Sequence, residues 1–78
     1  MTNSEKYMDA FVTTFEIQPN EIEGLKYQDI PAWDSVGHMT LIVAIEEAFD
    51  ILMDTEDIID LGSYEKGKKI LAKYDVEF

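Results

Sequence analysis

Cysteine and arginine are both absent from this 78-residue chain, histidine and tryptophan occur once each, and proline only twice. Without cysteine there is no disulfide to staple a small core and no thiolate nucleophile, and a lone His38 cannot assemble a zinc site. Such cysteine usage leads us to expect a reducing, cytoplasmic setting. Basic charge is scarce as well: six lysines face seventeen acids, for a formal net charge of −11. Four of the lysines (66, 68, 69 and 73) fall in the last fourteen residues, so residues 1–64 hold fourteen acids against Lys6 and Lys26 alone. A surface of this sign repels nucleic-acid phosphates and anionic lipid and attracts proteins with basic docking patches. Long apolar runs are missing too. The longest, Val36 to Ile45, contains Gly37, His38 and Thr40 and stops at Glu46-Glu47, short of the roughly 20 residues that span a bilayer. The first six residues lack a basic segment followed by an apolar one, so no secretory leader is expected.

What is present is helical periodicity, in a length that suits one small domain, residues 1–78, of marginal stability. Thr2 and Glu5 have capping-box spacing, with Asn3 and Ser4 as other caps, and Tyr7, Met8, Phe11, Val12 and Phe15 then recur on one helical face. Pro19 closes this helix. Residues 17–33 form a connection longer than most helix-to-helix loops, with Ile17, Ile22, Leu25, Tyr27 and Ile30 spread along it; it is expected to pack onto the core and to hold a short helical turn. A second helix follows over about Val36–Phe49 with two apolar stripes. Leu41, Ile42, Ile45, Ala48 and Phe49 make one; Val36, Met39, Thr40 and Val43 make the other, running down to Glu47. One stripe suffices for a surface helix, so the second is either further core or a face kept for a partner, and we favour the latter. Thr55–Leu61 reads as a short helix. Gly62-Ser63 ends it and caps a last helix, about Tyr64–Tyr74, with Tyr64, Ile70, Leu71 and Tyr74 inward and Gly67 at a point of close approach. Residues 75–78 are expected to fray. The expected fold is all-α: three main helices, one short helix and one long loop.

Several chemistries fail on spacing. Asp34, Ser35 and His38 are neighbours, but the nucleophile elbow needs glycines on both sides of the serine, and the run here is Trp33-Asp34-Ser35-Val36-Gly37. The acids at 54, 56, 57 and 60 do not follow a calcium loop, and Ile59 stands where that loop needs glycine. What survives is Ser35 itself, at the start of a helix. Free N–H groups and the positive end of the helix dipole there favour a phosphate. An Asp-Ser pair also starts helices simply as a cap.

Taken together, Asp34-Ser35-Val36, the run Leu41-Ile42-Val43-Ala44-Ile45-Glu46-Glu47-Ala48-Phe49 and Ser63-Tyr64 at the last helix make the chain resemble the acyl carrier protein family over about residues 5–75. The resemblance implies a four-helix carrier bundle that catalyses nothing. It implies that a phosphopantetheinyl transferase moves 4′-phosphopantetheine from coenzyme A to Ser35, beside Asp34, and that acyl groups ride on the arm as thioesters. The reactive sulfur would then come from the cofactor, which suits a chain without cysteine. By family pattern Val36, Met39, Val43, Glu46, Glu47 and Met53 fall where acyl-activating and acyl-transferring partners dock on a monomer. Trp33, Gly37-His38 and Thr40 depart from the pattern of fatty-acid synthesis carriers and point to a specialised stand-alone carrier. Amino-acyl or peptidyl cargo, and an unmodified acidic helical adaptor, stay open beside the acyl reading. Gly37 in a first turn costs about 0.5–1 kcal/mol relative to Ala, which predicts a loose helix start.

The crowding of acids predicts that NaCl or a divalent cation, by screening self-repulsion, raises the melting temperature. Thermal unfolding at low and moderate salt checks this, and a midpoint unchanged or lowered by salt would count against it.

Overall fold

Asn3–Phe15 form α1, Ser35–Phe49 α2, Thr55–Asp60 α3 and Tyr64–Ala72 α4 in the computed structural model, which describes residues 1–78. There are no strands; one isolated bridge pairs Lys26 with Ser63. No helix is long and apolar enough to cross a membrane. The caps explain the boundaries. Thr2 and Glu5 close a reciprocal capping box at α1, with Glu5 N–H donating to Thr2 Oγ1 at 3.1 Å and Thr2 N–H to Glu5 Oε1 at 2.9 Å. Asp34 caps α2 and Ser63 caps α4. At their C-terminal ends α1 and α2 stop on left-handed residues, Glu16 and Asp50. The stop of α1 therefore precedes Pro19, which instead opens a 3₁₀ turn over Pro19–Glu21, the short turn expected in the long connection.

One core gathers the inward stripes. Tyr7, Ala10, Phe11 and Phe15 of α1 meet Leu41, Ile42 and Ile45 of α2, with Ile70 and Leu71 of α4 and Ile22, Leu25 and Leu61 from the connections. Burying such side chains is what holds a chain of this size together. Trp33, at the end of the long connection, is fully buried among them. The connection itself is stitched down: Tyr27 N–H donates to the Gly62 carbonyl and Tyr64 N–H to the Leu25 carbonyl, both at 2.9 Å. Gly67 is the point of close approach that its position suggested. A Cβ there would overlap the hydroxyl of Tyr7, which is fully buried and donates to the Tyr64 carbonyl at 2.7 Å. Burial pushes the Tyr7 phenol far above its ordinary pKa, with Tyr64 and Glu65 adding to it, so it stays a donor.

The tail does not fray as expected. Asp75 turns through a left-handed conformation, Val76 is buried, and Asn3 Nδ2 donates to the Glu77 carbonyl at 3.0 Å. Phe78 lies edge-on to Tyr7, 5.3 Å between ring centres, and near Phe49. Helix α4 ends at Ala72, two residues short of the expected Tyr74, where the backbone tightens to i→i−3 bonds, Lys73 N–H donating to the Ile70 carbonyl at 3.0 Å and Tyr74 N–H to that of Leu71 at 2.9 Å; the side chains of Lys73 and Tyr74 serve α3. Lys73 Nζ and the Tyr74 hydroxyl each donate to the buried Asp57 carboxylate at 2.5 Å, and the Tyr74 oxygen accepts from Asp54 N–H at 2.9 Å. This clamp anchors the short α3 to the end of α4.

The hydrogen bonds from Lys73 and Tyr74 hold the Asp57 carboxyl below its ordinary pKa, and donating to that carboxylate raises the pKa of Lys73. The folded carboxyl titrates below the unfolded one. Its stabilisation is therefore complete above about pH 4–5 and is lost as the pH falls through the lower folded value. Asp57→Asn is expected to destabilise the fold at neutral pH, by a margin that narrows as the solution is acidified. Urea midpoints of both proteins from pH 7 to pH 2 check this; a margin constant with pH would contradict it.

Candidate functional site

Ser35 is the first residue of α2 and is exposed. Asp34 is turned away from it: its Oδ1 accepts from Gly37 N–H at 2.8 Å, and its carbonyl accepts from His38 N–H at 2.8 Å. The N–H groups of Ser35 and Val36 have no partner within the chain and are two of the open donors every helix start carries. Asp34 is thus a cap, and the free donors lie beside Ser35.

Aromatic packing holds this helix start from below. Trp33 stacks on Phe15, 5.3 Å between centroids at 28°, and stands edge-on to Phe11. Its ring is nearly parallel to His38, at 11° and 6.2 Å. Trp33 precedes the cap and His38 is the fourth helical residue, the two positions of a hydrophobic staple. Here the staple also carries a hydrogen bond. The indole N–H can only donate, and it meets His38 Nδ1 at 2.9 Å. The partners therefore assign the ring as the neutral tautomer with its proton on Nε2, which donates to the Ile58 carbonyl of α3 at 2.7 Å. With both nitrogens committed, His38 has no lone pair to offer Ser35. The serine hydroxyl lies instead 3.1 Å from the Tyr27 hydroxyl.

Gly37 overturns the expectation of a loose start. A Cβ there would overlap the Ala32 carbonyl oxygen, so the preceding loop packs directly on the first turn of α2. The glycine is present for close approach and fastens the turn.

Beside Ser35 an open cleft of about 390 Å³ runs between α2 and α3, lined by Tyr27, His38, Met39, Ile58, Ile59 and Leu61 among others. It is largely apolar, with the Ser35 hydroxyl among its few polar groups. Along the outer side of α2 the second stripe is exposed: Val36 is 76% accessible, Met39 49% and Val43 48%. It is a surface stripe and not further core. Leu52 and Ile59 are exposed as well, on the connection after α2 and on α3. Glu47 is exposed, but Glu46 is half-buried and its Oε2 accepts from Met53 N–H at 2.9 Å. Met53 does not belong to this face: it is 7% accessible and packed in the core. The turn after α2, where Ile51 N–H returns to the Glu46 carbonyl at 3.1 Å, carries the side chain of Met53 inward and leaves Leu52 outside.

Comparison with protein-family models, curated proteins and solved structures finds no match for the chain.

Replacing Gly37 by Ala sets a helix-propensity gain of about 0.5–1 kcal/mol against overpacking, which costs about 1–3 kcal/mol. Because the obstacle is backbone, overpacking wins. Gly37→Ala is expected to lower stability by about 1–2 kcal/mol net, measured by urea unfolding, and a stabilised variant would refute the close packing.

Proposed function

We propose that the chain is a stand-alone carrier protein in which Ser35 accepts 4′-phosphopantetheine from coenzyme A and bears acyl intermediates. The observation that carries the reading is the setting of one hydroxyl. Ser35 is exposed, heads a fifteen-residue helix, lies beside two free N–H groups, and borders an apolar cleft of about 390 Å³. The residues present fit such a group. A phosphodiester on Oγ would gain from the helix dipole and the free N–H donors, and the cleft beside it offers apolar surface to what the arm carries. When bound, the group supplies a terminal thiol that holds acyl groups as thioesters; the chain itself has no cysteine to do so.

In the loading step Ser35 Oγ attacks the β-phosphorus of coenzyme A. A bond forms from Oγ to that phosphorus, the pyrophosphate P–O bond breaks, and adenosine 3′,5′-bisphosphate leaves. The hydroxyl proton passes to a base on the transferase, because His38 is committed elsewhere. Asp34 holds the first turn of α2 rigid through its cap, so Oγ is presented from a fixed backbone. Val36, Met39 and Val43, with Glu47 at the foot of the stripe, support the reading of α2 as the face that partners with basic patches grip. An exposed apolar strip flanked by acids suits brief encounters with several enzymes, in which charge sets the rate of approach and a small buried centre sets the lifetime. The lone histidine and the absence of an activated nucleophile support a carrier over a hydrolase, and the departures at Trp33 and His38 support a specialised pathway.

Incubation with coenzyme A, magnesium and a broad-specificity phosphopantetheinyl transferase is expected to add the mass of one phosphopantetheinyl group to the wild type and none to Ser35→Ala. Failure of several such transferases to modify the wild type would favour the unmodified adaptor.

A further inference from the structure

Tyr27 stands out among the residues around Ser35 because its backbone and one side of its ring are held by named partners, although the residue is 36% accessible. Its backbone N–H is held by the Gly62 carbonyl at 2.9 Å. Its ring is edge-on to His38 (5.6 Å, 80°) and to Trp33 (6.3 Å, 89°), and those two rings are locked to each other and to Ile58. The next residue, Gln28, adopts a left-handed conformation at φ 68°, unusual for a side chain of that kind, and its N–H closes the loop on the Trp33 carbonyl at 3.0 Å. All of this delivers one phenol oxygen to 3.1 Å from Ser35 Oγ, at the edge of the cleft that both residues line.

We propose that Tyr27 is the positioning residue for the modified serine, its phenol O–H donating to the Ser35 phosphodiester and holding the arm at the entrance of the cleft. The proposal rests on the carrier reading. In the unmodified chain both groups are neutral hydroxyls and either can donate. After loading, Oγ has lost its proton and become a weakly accepting ester oxygen, so only Tyr27 can donate, and the acceptor it turns to is a charged non-bridging oxygen of the phosphate attached there. A hydrogen bond to an ionised acceptor is shorter and roughly twice as strong as one between neutral groups. The contact therefore strengthens when the arm is attached, and it does so on a chain with no arginine and no lysine among the residues lining that cleft. Tyr27 would supply by hydrogen bonding the anchoring that a cation provides elsewhere. It also biases the direction in which the arm leaves Ser35, since the edges of Trp33 and His38 bound the Tyr27 ring on one side.

The test is a thermodynamic cycle on four proteins: wild type and Tyr27→Phe, each before and after loading from coenzyme A. Phenylalanine keeps the ring and its packing and removes only the hydroxyl. The change in melting temperature on loading is expected to be lower by about 4–8 °C in Tyr27→Phe than in the wild type. The ³¹P resonance of the loaded protein is expected to move on the same substitution, a signature that packing alone would not alter. Loading of both proteins with equal changes in melting temperature and an unmoved ³¹P resonance would overturn the role of Tyr27 and leave the carrier reading intact. Failure of the wild type to accept the arm would overturn both.

Discussion

The burial of a single indole is the constraint from which the rest of the arrangement follows. Trp33 is fully enclosed and sits one residue before the cap of α2. An enclosed indole N–H needs an acceptor, and it finds one only on the first turn of the next helix, at His38. That acceptor is a ring with a second nitrogen, whose proton must in turn be satisfied, and Ile58 of α3 supplies the carbonyl. The end of the long connection, the first turn of α2 and the more distant α3 are thereby tied at one point, and Ser35 and Tyr27 are carried on its outer surface. Truncating a buried aromatic of this size costs on the order of 3–5 kcal/mol, a large share of the roughly 5–15 kcal/mol that holds a domain together. The exposed serine thus owes its definite position to one of the least exposed residues beneath it.

The acids of the chain divide by what they bond to. Some of its acids work for the fold: Glu5 in the α1 cap, Asp34 in the α2 cap, Glu46 on the turn after α2, Asp57 in the clamp with Lys73 and Tyr74. Others, including Glu47, Asp50, Glu56 and Asp60, face solvent. A hydrogen bond leaves a carboxylate its charge, so the exposed Glu5 and Asp34 also act on an approaching protein, and only Asp57 is offset by a paired cation, Lys73.

Much of the fold was legible because it is written in local terms. The capping box at Thr2 and Glu5, the stripe through Tyr7, Phe11 and Phe15 and the cap at Ser63 depend on residues within a few positions of one another, and each lies where periodicity and capping put it. The doubled stripe of α2 was legible too, since Leu41, Ile42 and Ile45 are inside and Val36, Met39 and Val43 outside. What stayed hidden depends on contacts across the chain. Gly37 reads as a weak helix former until the Ala32 carbonyl is found against it. Asp57 reads as a first-turn acid until Lys73 and Tyr74, sixteen and seventeen residues on, close over it. Met53 follows a pattern of exposed neighbours, and one turn of backbone reverses it. For Trp33 and His38 a signal was available, since they occupy the two staple positions around the cap. For the Tyr27 contact with Ser35 no local rule applies, as a loop residue and a helix residue eight apart have no fixed geometry.

The meeting of Asn3 with Glu77 and the packing of Phe78 near Phe49 put both chain ends beside the last residue of α2. A helix of that length is about 20 Å long, and Ser35 stands at its opposite pole. Anything spliced onto either extremity, whether a purification handle or a neighbouring enzyme, would emerge at the back of the molecule. The Ser35 hydroxyl would still face open water, and a short bridge between the two extremities would allow the polypeptide to be reopened elsewhere without disturbing it.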